Sequence, residues 1–166
     1  MGPTIHTDDD VRTILVPTDG SPASRAALSR ALSIAEQLPT NADESGTATD
    51  AETPAVHVLA VADTTGDPLR FDSSNVHELE QLKEQLVAEI ASAYEDHDVD
   101  VTTAIRRGHP AQTIVQYAAD NDIDLIALGR TGQTGVTRLL GSTTDRVVRQ
   151  SSIPVLVVPE SNPDEE

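Results

Sequence analysis

Apolar positions along the chain fall into short continuous runs that alternate with longer stretches of helical spacing. Thr13-Ile14-Leu15-Val16 is apolar without interruption and closes at Pro17. It is too short for a helix and rich in β-branched residues, which predicts a buried strand. Ser21 and Pro22 suit the N-cap and first position of a helix, and Leu28, Ala31, Leu32, Ala35 and Leu38 then recur with one buried face. Val56 to Ala62 is a second strand, followed by a loop from Asp63 to Asp72. Leu79, Leu82, Leu86 and Ile90 mark a second amphipathic helix, for which Asn75 and Glu78 offer a capping box. Val99, Val101 and Ile105 alternate as a third strand. Gly108-His109-Pro110 opens a helix that carries Ala111, Ile114, Val115 and Ala118 on one face. Asp124 to Leu128 is a fourth strand entering a glycine-rich loop, and a short helix from Thr144 to Gln150 leads to a last strand, Ile153 to Val158.

Five strands alternating with four helices predict an α/β fold, a three-layer sandwich with a five-stranded, doubly wound parallel sheet in a single domain. Ligands of such sheets bind at the carboxyl ends of strands where the order reverses. A length of 166 residues suits one domain. The expected organisation is an acidic leader over 1–10, a folded domain over 11–159 with a polar insertion at 39–54, and an acidic tail over 160–166. No repeat of 20 to 50 residues is visible.

The densest chemistry lies in Gly129-Arg130-Thr131-Gly132 and the stretch that continues to Gly141-Ser142-Thr143-Thr144. Glycines let backbone approach a ligand closely, while Ser142 to Thr144 place N–H groups and hydroxyls at a helix N-terminus. Together these suit phosphate oxygens. A purely structural loop would carry the same glycines. No Gly-Lys-Ser/Thr follows, so this is not a Walker loop, and the Gly-x-Gly-x-x-Gly dinucleotide pattern is missing.

Charge narrows the partners. Eleven basic against 28 acidic residues give a formal charge of −17, which argues against a nucleic-acid binder. Lys83 is the sole lysine. An acidic, lysine-poor surface fits adaptation to high salt, with an ordinary acidic cytosolic protein as the lesser alternative. Cysteine is absent, excluding disulfides and thiolate chemistry. The start of the chain lacks the regions of a signal peptide, and no apolar run approaches the roughly 18 residues that span a bilayer. A cytoplasmic protein without a membrane partner is expected.

Three pieces in order, Pro17-Thr18-Asp19, Gly108-x-Pro110, and the glycine loop leading through Gly141-Ser142 to Pro154-Val-Leu-Val-Val, make the chain resemble the universal stress protein family from Thr13 to Pro159. The resemblance implies the fold of the adenine-nucleotide α-hydrolase-like group and a regulatory or sensor role in stress response. Nucleotide-binding members carry Gly-x2-Gly-x9-Gly-Ser/Thr. Gly132 and Gly141 here enclose eight residues, one fewer, and Gln133 stands where a basic residue is common. Absorption of the missing residue between Val136 and Leu140 is expected. By the resemblance, Asp19 and the main chain of Val61 sit beside adenine, in a segment shared with Thr18, and Pro17 and Leu128 wall the base and ribose. Gly129, Gly132, Gly141, Ser142, Thr143 and Thr144 line ribose and phosphates. Arg130 and Arg138 offer charge to the phosphates or are solvated surface arginines. Asp19 has a competing role as a turn residue bonding its own backbone. The implied cofactor is ATP or another adenine nucleotide, with Mg²⁺ or Mn²⁺ on its phosphates rather than in a protein metal site.

Catalytic machinery is thin. His6, His57, His77, His97 and His109 are scattered, and no Gly-x-Ser-x-Gly elbow is present. A nucleotide-binding module rather than an enzyme is expected, with weak hydrolysis left open. The last strand, over 153–158, would lie at a sheet edge, where pairing with its twin across a two-fold axis would make a homodimer, as in the family. The acidic tail covering that edge is the alternative. Two other functions compete: a dimerisation or interaction module of this fold that binds protein partners and no nucleotide, and an adenylyl-transferring enzyme. The enzyme is disfavoured because the first turn reads Pro-Thr-Asp-Gly-Ser without the Ser-Gly-Gly-x-Asp-Ser signature.

Overall fold

A computed structural model describes residues 11–38, 54–63, 73–94, 99–130 and 140–160. The elements, in chain order, are β1 (Thr13–Thr18), α1 (Pro22–Gln37), β2 (Ala55–Asp63), α2 (Ser73–Tyr94), β3 (Asp100–Gly108), α3 (Pro110–Asp120), β4 (Leu125–Gly129), α4 (Ser142–Gln150) and β5 (Val155–Val158). All pairings are parallel, in the order β3-β2-β1-β4-β5. The chain winds outward from β1 in one direction and then resumes at β4 on its other side. This is the five-stranded, doubly wound sheet that the periodicity predicts. The switch point lies between β1 and β4.

Strand side chains alternate between two cores. Ile14 and Val16 of β1, with Val56, Val58 and Ala60 of β2, pack on the face covered by α1 and α2. Leu15, Leu59, Ile126 and Leu128 pack on the other face with Ala111, Ile114, Tyr117 and Val147 from α3 and α4. Both faces being dry explains why β1 and β4 read as unbroken apolar runs.

Helix α1 starts where Ser21 accepts a hydrogen bond from the Ser24 amide at 3.2 Å, with Pro22 in the first turn. Its buried stripe is mostly alanine, at 23, 27, 31 and 35, so the helix backbone lies close to the sheet. A Cβ built on Gly129 would stand 2.7 Å from the Ala23 carbonyl carbon. Glycine is required there by proximity.

Several boundaries differ from the periodic pattern. β1 continues through Pro17 to Thr18, paired with β2 at Pro17↔Leu59 and Thr18↔Ala60. Its pairs with β4 are Ile14↔Leu125 and Leu15↔Ile126, so Pro17 falls beyond them, where a missing N–H breaks no ladder. α2 begins at Ser73, which places Asn75 inside the helix and removes the capping box proposed with Glu78. α4 begins at Ser142, two residues before the expected start. β5 begins at Val155 because Ser151 closes a turn on Ile153, accepting from its amide at 3.1 Å and donating to its carbonyl at 2.8 Å. The leader 1–10, the insertion 39–53, Gly132, Gln133, Arg138 and the tail 161–166 lie outside the described residues.

Candidate functional site

The β1–β4 switch point holds a crevice of about 510 Å³ at the carboxyl ends of the central strands. Each strand end contributes in the way the topology dictates: Pro17, Thr18 and Asp19 from β1 and its turn, Val61, Ala62 and Asp63 from β2, and Leu128 and Gly129 from β4. Three helices add their first turns: Ser21 and Ser24 around the start of α1, Pro110 and Ile114 of α3, and Thr143 and Thr144 of α4. Glu78 and Leu82 of α2 complete the lining. Leu128 and Leu59 supply flat apolar wall, while threonine, serine and main chain supply polar atoms.

The turn after β1 is a compact hydrogen-bonded unit. The Ser21 amide donates to Asp19 Oδ1 at 2.9 Å, so Asp19 fills the turn role that its position allows while its residue also lines the crevice. Thr18 Oγ1 donates to Glu89 Oε2 at 2.7 Å and accepts the Gly20 amide at 3.3 Å. Gly20 has φ +79°, and Gln85 of α2 packs directly over it. A side chain at position 20 would be strained and would collide with Gln85. α2 therefore clamps the turn from above.

The opposite end is organised by β4 and α4. Thr144 is buried, and its Oγ1 donates to the Gly129 carbonyl at 2.7 Å. The Gly141 amide donates to the Arg130 carbonyl at 2.8 Å, and the Arg130 amide to the Val158 carbonyl at 2.9 Å. The N-cap of α4 is Gly141, and no side chain among the described residues caps the helix. The amides of Ser142, Thr143 and Thr144 have no acceptor within the helix, and the helix dipole adds positive potential at that end. Buried Arg130 Nε has no hydrogen-bond partner among the described residues.

Of the residues singled out from sequence, Pro17, Thr18, Asp19, Val61, Leu128, Gly129, Thr143 and Thr144 come together around the crevice. Arg130, Gly141 and Ser142 adjoin it without lining it. Sequence reasoning missed Ser21, Ser24, Leu59, Ala62, Asp63, Pro110, Ile114, Glu78 and Leu82. Ala62 and Asp63 end the same strand as Val61, which the family resemblance had selected, and the carboxyl-end rule would have reached them. Glu78 and Leu82 carried no local signal, since their place depends on how α2 lies over the turn. Asp19, Asp63 and Glu78 make three carboxylates in the lining. Among the described residues no group of three or more His, Asp or Glu side chains could hold a metal ion, and no helix is long and apolar enough to cross a membrane.

Comparison with known proteins bears on this architecture. Residues 10–159 match the universal stress protein family. A universal stress protein of Methanocaldococcus jannaschii is 35% identical over 151 residues, spanning 89% of this chain and 81% of the relative. A second M. jannaschii protein of known structure superposes with a TM-score of 0.69 at 29% identity, over 92% of this chain and 99% of that one. At 23% and 17% identity the likeness is one of fold: a universal stress protein solved with cAMP (TM-score 0.61, covering 92% of this chain and 99% of that one) and one from Archaeoglobus fulgidus solved with dAMP (TM-score 0.56, 89% and 97%). The match spans nearly the whole described fold, crevice included, and this chain belongs to the universal stress protein family.

Proposed function

We propose that this protein binds an adenine nucleotide, ATP or a close relative, in the β1–β4 crevice and acts as a regulatory or sensor module in stress response. The observation that carries the proposal is the pairing, in one crevice of about 510 Å³, of an apolar slot between Pro17, Leu128 and Val61 with the uncapped N-terminus of α4. An apolar slot accepts a flat base. Free amides at a helix N-terminus accept phosphate oxygens.

The residues present fit such a ligand. The Val61 main chain and the Asp19 carboxylate offer acceptors to an exocyclic amine, and Pro17 and Leu128 exclude water from the base. Gly129, held against Ala23, keeps the strand end open to the sugar. The Ser142, Thr143 and Thr144 amides and the Ser142 and Thr143 hydroxyls receive phosphate, with Arg130 adjoining, and Gly132 is proposed to join them. Mg²⁺ or Mn²⁺ would ride on the phosphates. Neighbours of this fold solved with cAMP and dAMP support the choice of adenine. The chemistry proposed is binding, not turnover, in a cytoplasmic protein. Edge strand β5, with Leu156 and Val157 half-buried in one chain, is proposed to pair with its twin in a homodimer.

The carboxylates of Asp19, Asp63 and Glu78 favour a second reading, an interaction module of this fold that meets protein partners without a nucleotide. Mass analysis of small molecules released on denaturing protein purified in high salt separates the two. Near-stoichiometric ATP or ADP supports nucleotide binding. An empty site, together with no rise in thermal stability on adding ATP and Mg²⁺, overturns it, since a ligand at about 100 times its Kd stabilises by about 2.7 kcal/mol.

A further inference from the structure

On the far flank of α3 lies a polar arrangement that the crevice does not use. His57 of β2 and Tyr117 of α3 are joined through Nδ1 and the phenolic oxygen at 2.8 Å, with rings edge-on at 5.8 Å. Tyr117 is buried among apolar residues. A polar pair at that depth costs more to bury than an apolar one, and its mechanical effect is to fix the Tyr117 ring. Over that ring, 5.4 Å from its centre, sits the Arg106 guanidinium from edge strand β3. Arg106 also donates to its neighbour's carbonyl, Ile105 O, at 3.0 Å.

Arg107 and His109 follow, and with Gln112 and Tyr117 they line a groove of about 580 Å³ between the end of β3 and α3. Among the described residues neither Arg106, Arg107 nor His109 meets a carboxylate, in a chain where acidic residues outnumber basic ones 28 to 11. The groove's own carboxylate, Asp120 at the far end, accepts from Gln116 Nε2 at 3.0 Å. Edge-strand arginines discourage aggregation, but that role needs no hydrogen-bonded His–Tyr pair beneath Arg106. α3 separates the two cavities: Pro110 and Ile114 line the crevice, Gln112 and Tyr117 the groove.

We propose that this groove is a second ligand site, for a small phosphate ester or pyrophosphate-like oxyanion gripped by Arg106, the β3 arginine on the α3 side of the sheet; Ala104 packs on that side and Ile105 on the other, so the Arg107 side chain leaves the opposite face. Planar guanidiniums present paired N–H donors that match phosphate oxygens, and stacking on Tyr117 holds Arg106 in place before the ligand arrives. His109 borders the anionic end. Asp120 sets the polarity, favouring a ligand whose other end carries hydroxyl or amine donors.

The test is a titration of the full chain with inorganic pyrophosphate in dilute KCl, following the His109 imidazole and Tyr117 ring signals by NMR. Saturable shifts are expected in the wild type. Arg106→Gln should weaken binding by at least about tenfold, the effect of losing one charge-assisted hydrogen bond. Should that variant lose its cooperative melting transition, Arg106→Lys, which keeps the charge and loses the planar fork, should also bind more weakly than the wild type. Unmoved signals in the wild type, or equal affinity in the variants, overturn the proposal.

Discussion

Replacing Gly129 by alanine tests the tightest approach of backbone to a glycine among the described residues. The added Cβ would stand 2.7 Å from the Ala23 carbonyl carbon, 2.8 Å from its Cβ and 2.9 Å from its carbonyl oxygen. Carbon atoms in good contact are about 3.5 Å or more apart, so roughly 0.8 Å of clearance is missing. Two of the three atoms are backbone in the first turn of α1, and they cannot rotate away. The helix must move off β4 as a unit, opening the alanine stripe beneath it. Overpacking of this kind costs about 1–3 kcal/mol, which for a chain of this size lowers the melting temperature by about 2–4 °C per kcal/mol. Thermal unfolding at fixed KCl gives the value. Adding Ala23→Gly to Gly129→Ala removes one of the three contacts and leaves the other two, so rescue should be partial. Wild-type stability in the single variant, or complete rescue in the double, would refute the claim that backbone proximity dictates glycine here. Ser21 and Ser24 ride on the same turn of α1 and line the crevice, so the single variant should also weaken any crevice ligand.

Thr144→Val keeps shape and removes the hydroxyl that reaches Gly129, leaving a carbonyl short of a partner. A loss of about 1–3 kcal/mol is expected by urea denaturation, and an unchanged midpoint would show that the bond is idle. Burial holds the His57 imidazole below its ordinary pKa. The unfolded chain therefore takes up the proton first as pH falls below about 6.5, and folded stability drops from there until the folded-state pKa is passed. His57→Gln removes that decline, so the stability difference between wild type and variant should shift as pH falls from about 7.5 to 5; parallel profiles would contradict it. Net charge of −17 predicts a melting temperature that climbs as KCl rises from about 0.1 M, where the screening length is about 10 Å, to about 1 M, where it is about 3 Å. A flat response would remove self-repulsion as a factor.

Sheet and helices were legible because parallel strands buried on both faces write themselves as runs such as Ile14-Leu15-Val16 and Leu125 to Leu128, and because Ser21-Pro22 is a local start signal. Asp19, Val61 and Leu128 came from the family resemblance, and the carboxyl-end rule for a doubly wound sheet agrees with it. Tertiary placement left no local mark. Glu78 and Leu82 belong to the crevice only because α2 crosses the β1 turn, and Asn75 looked like a cap because its spacing to Glu78 fits one, although the helix starts earlier, at Ser73. Pro17 seemed to end β1 because proline is read as a ladder breaker. Beyond the last β1–β4 pair it breaks nothing.

The two feet of the glycine loop are tied independently of the residues between them. Gly141 bonds to Arg130, Thr144 to Gly129, and Arg130 to Val158. Such a clasp frees loop length from site geometry, because closing a loop whose ends are already joined costs little more for an added residue, about 0.6 kcal/mol for each doubling of length. On this reading the eight residues between Gly132 and Gly141 are proposed to require no compensating shift at Ser142. Insertion of one residue between Gly132 and Gly141 should therefore leave the start of α4 in place, which thermal unfolding of that variant checks. A short reporter or affinity tag spliced between Gln133 and Leu139 should likewise leave the fold standing, which makes this loop the natural port for labelling the protein.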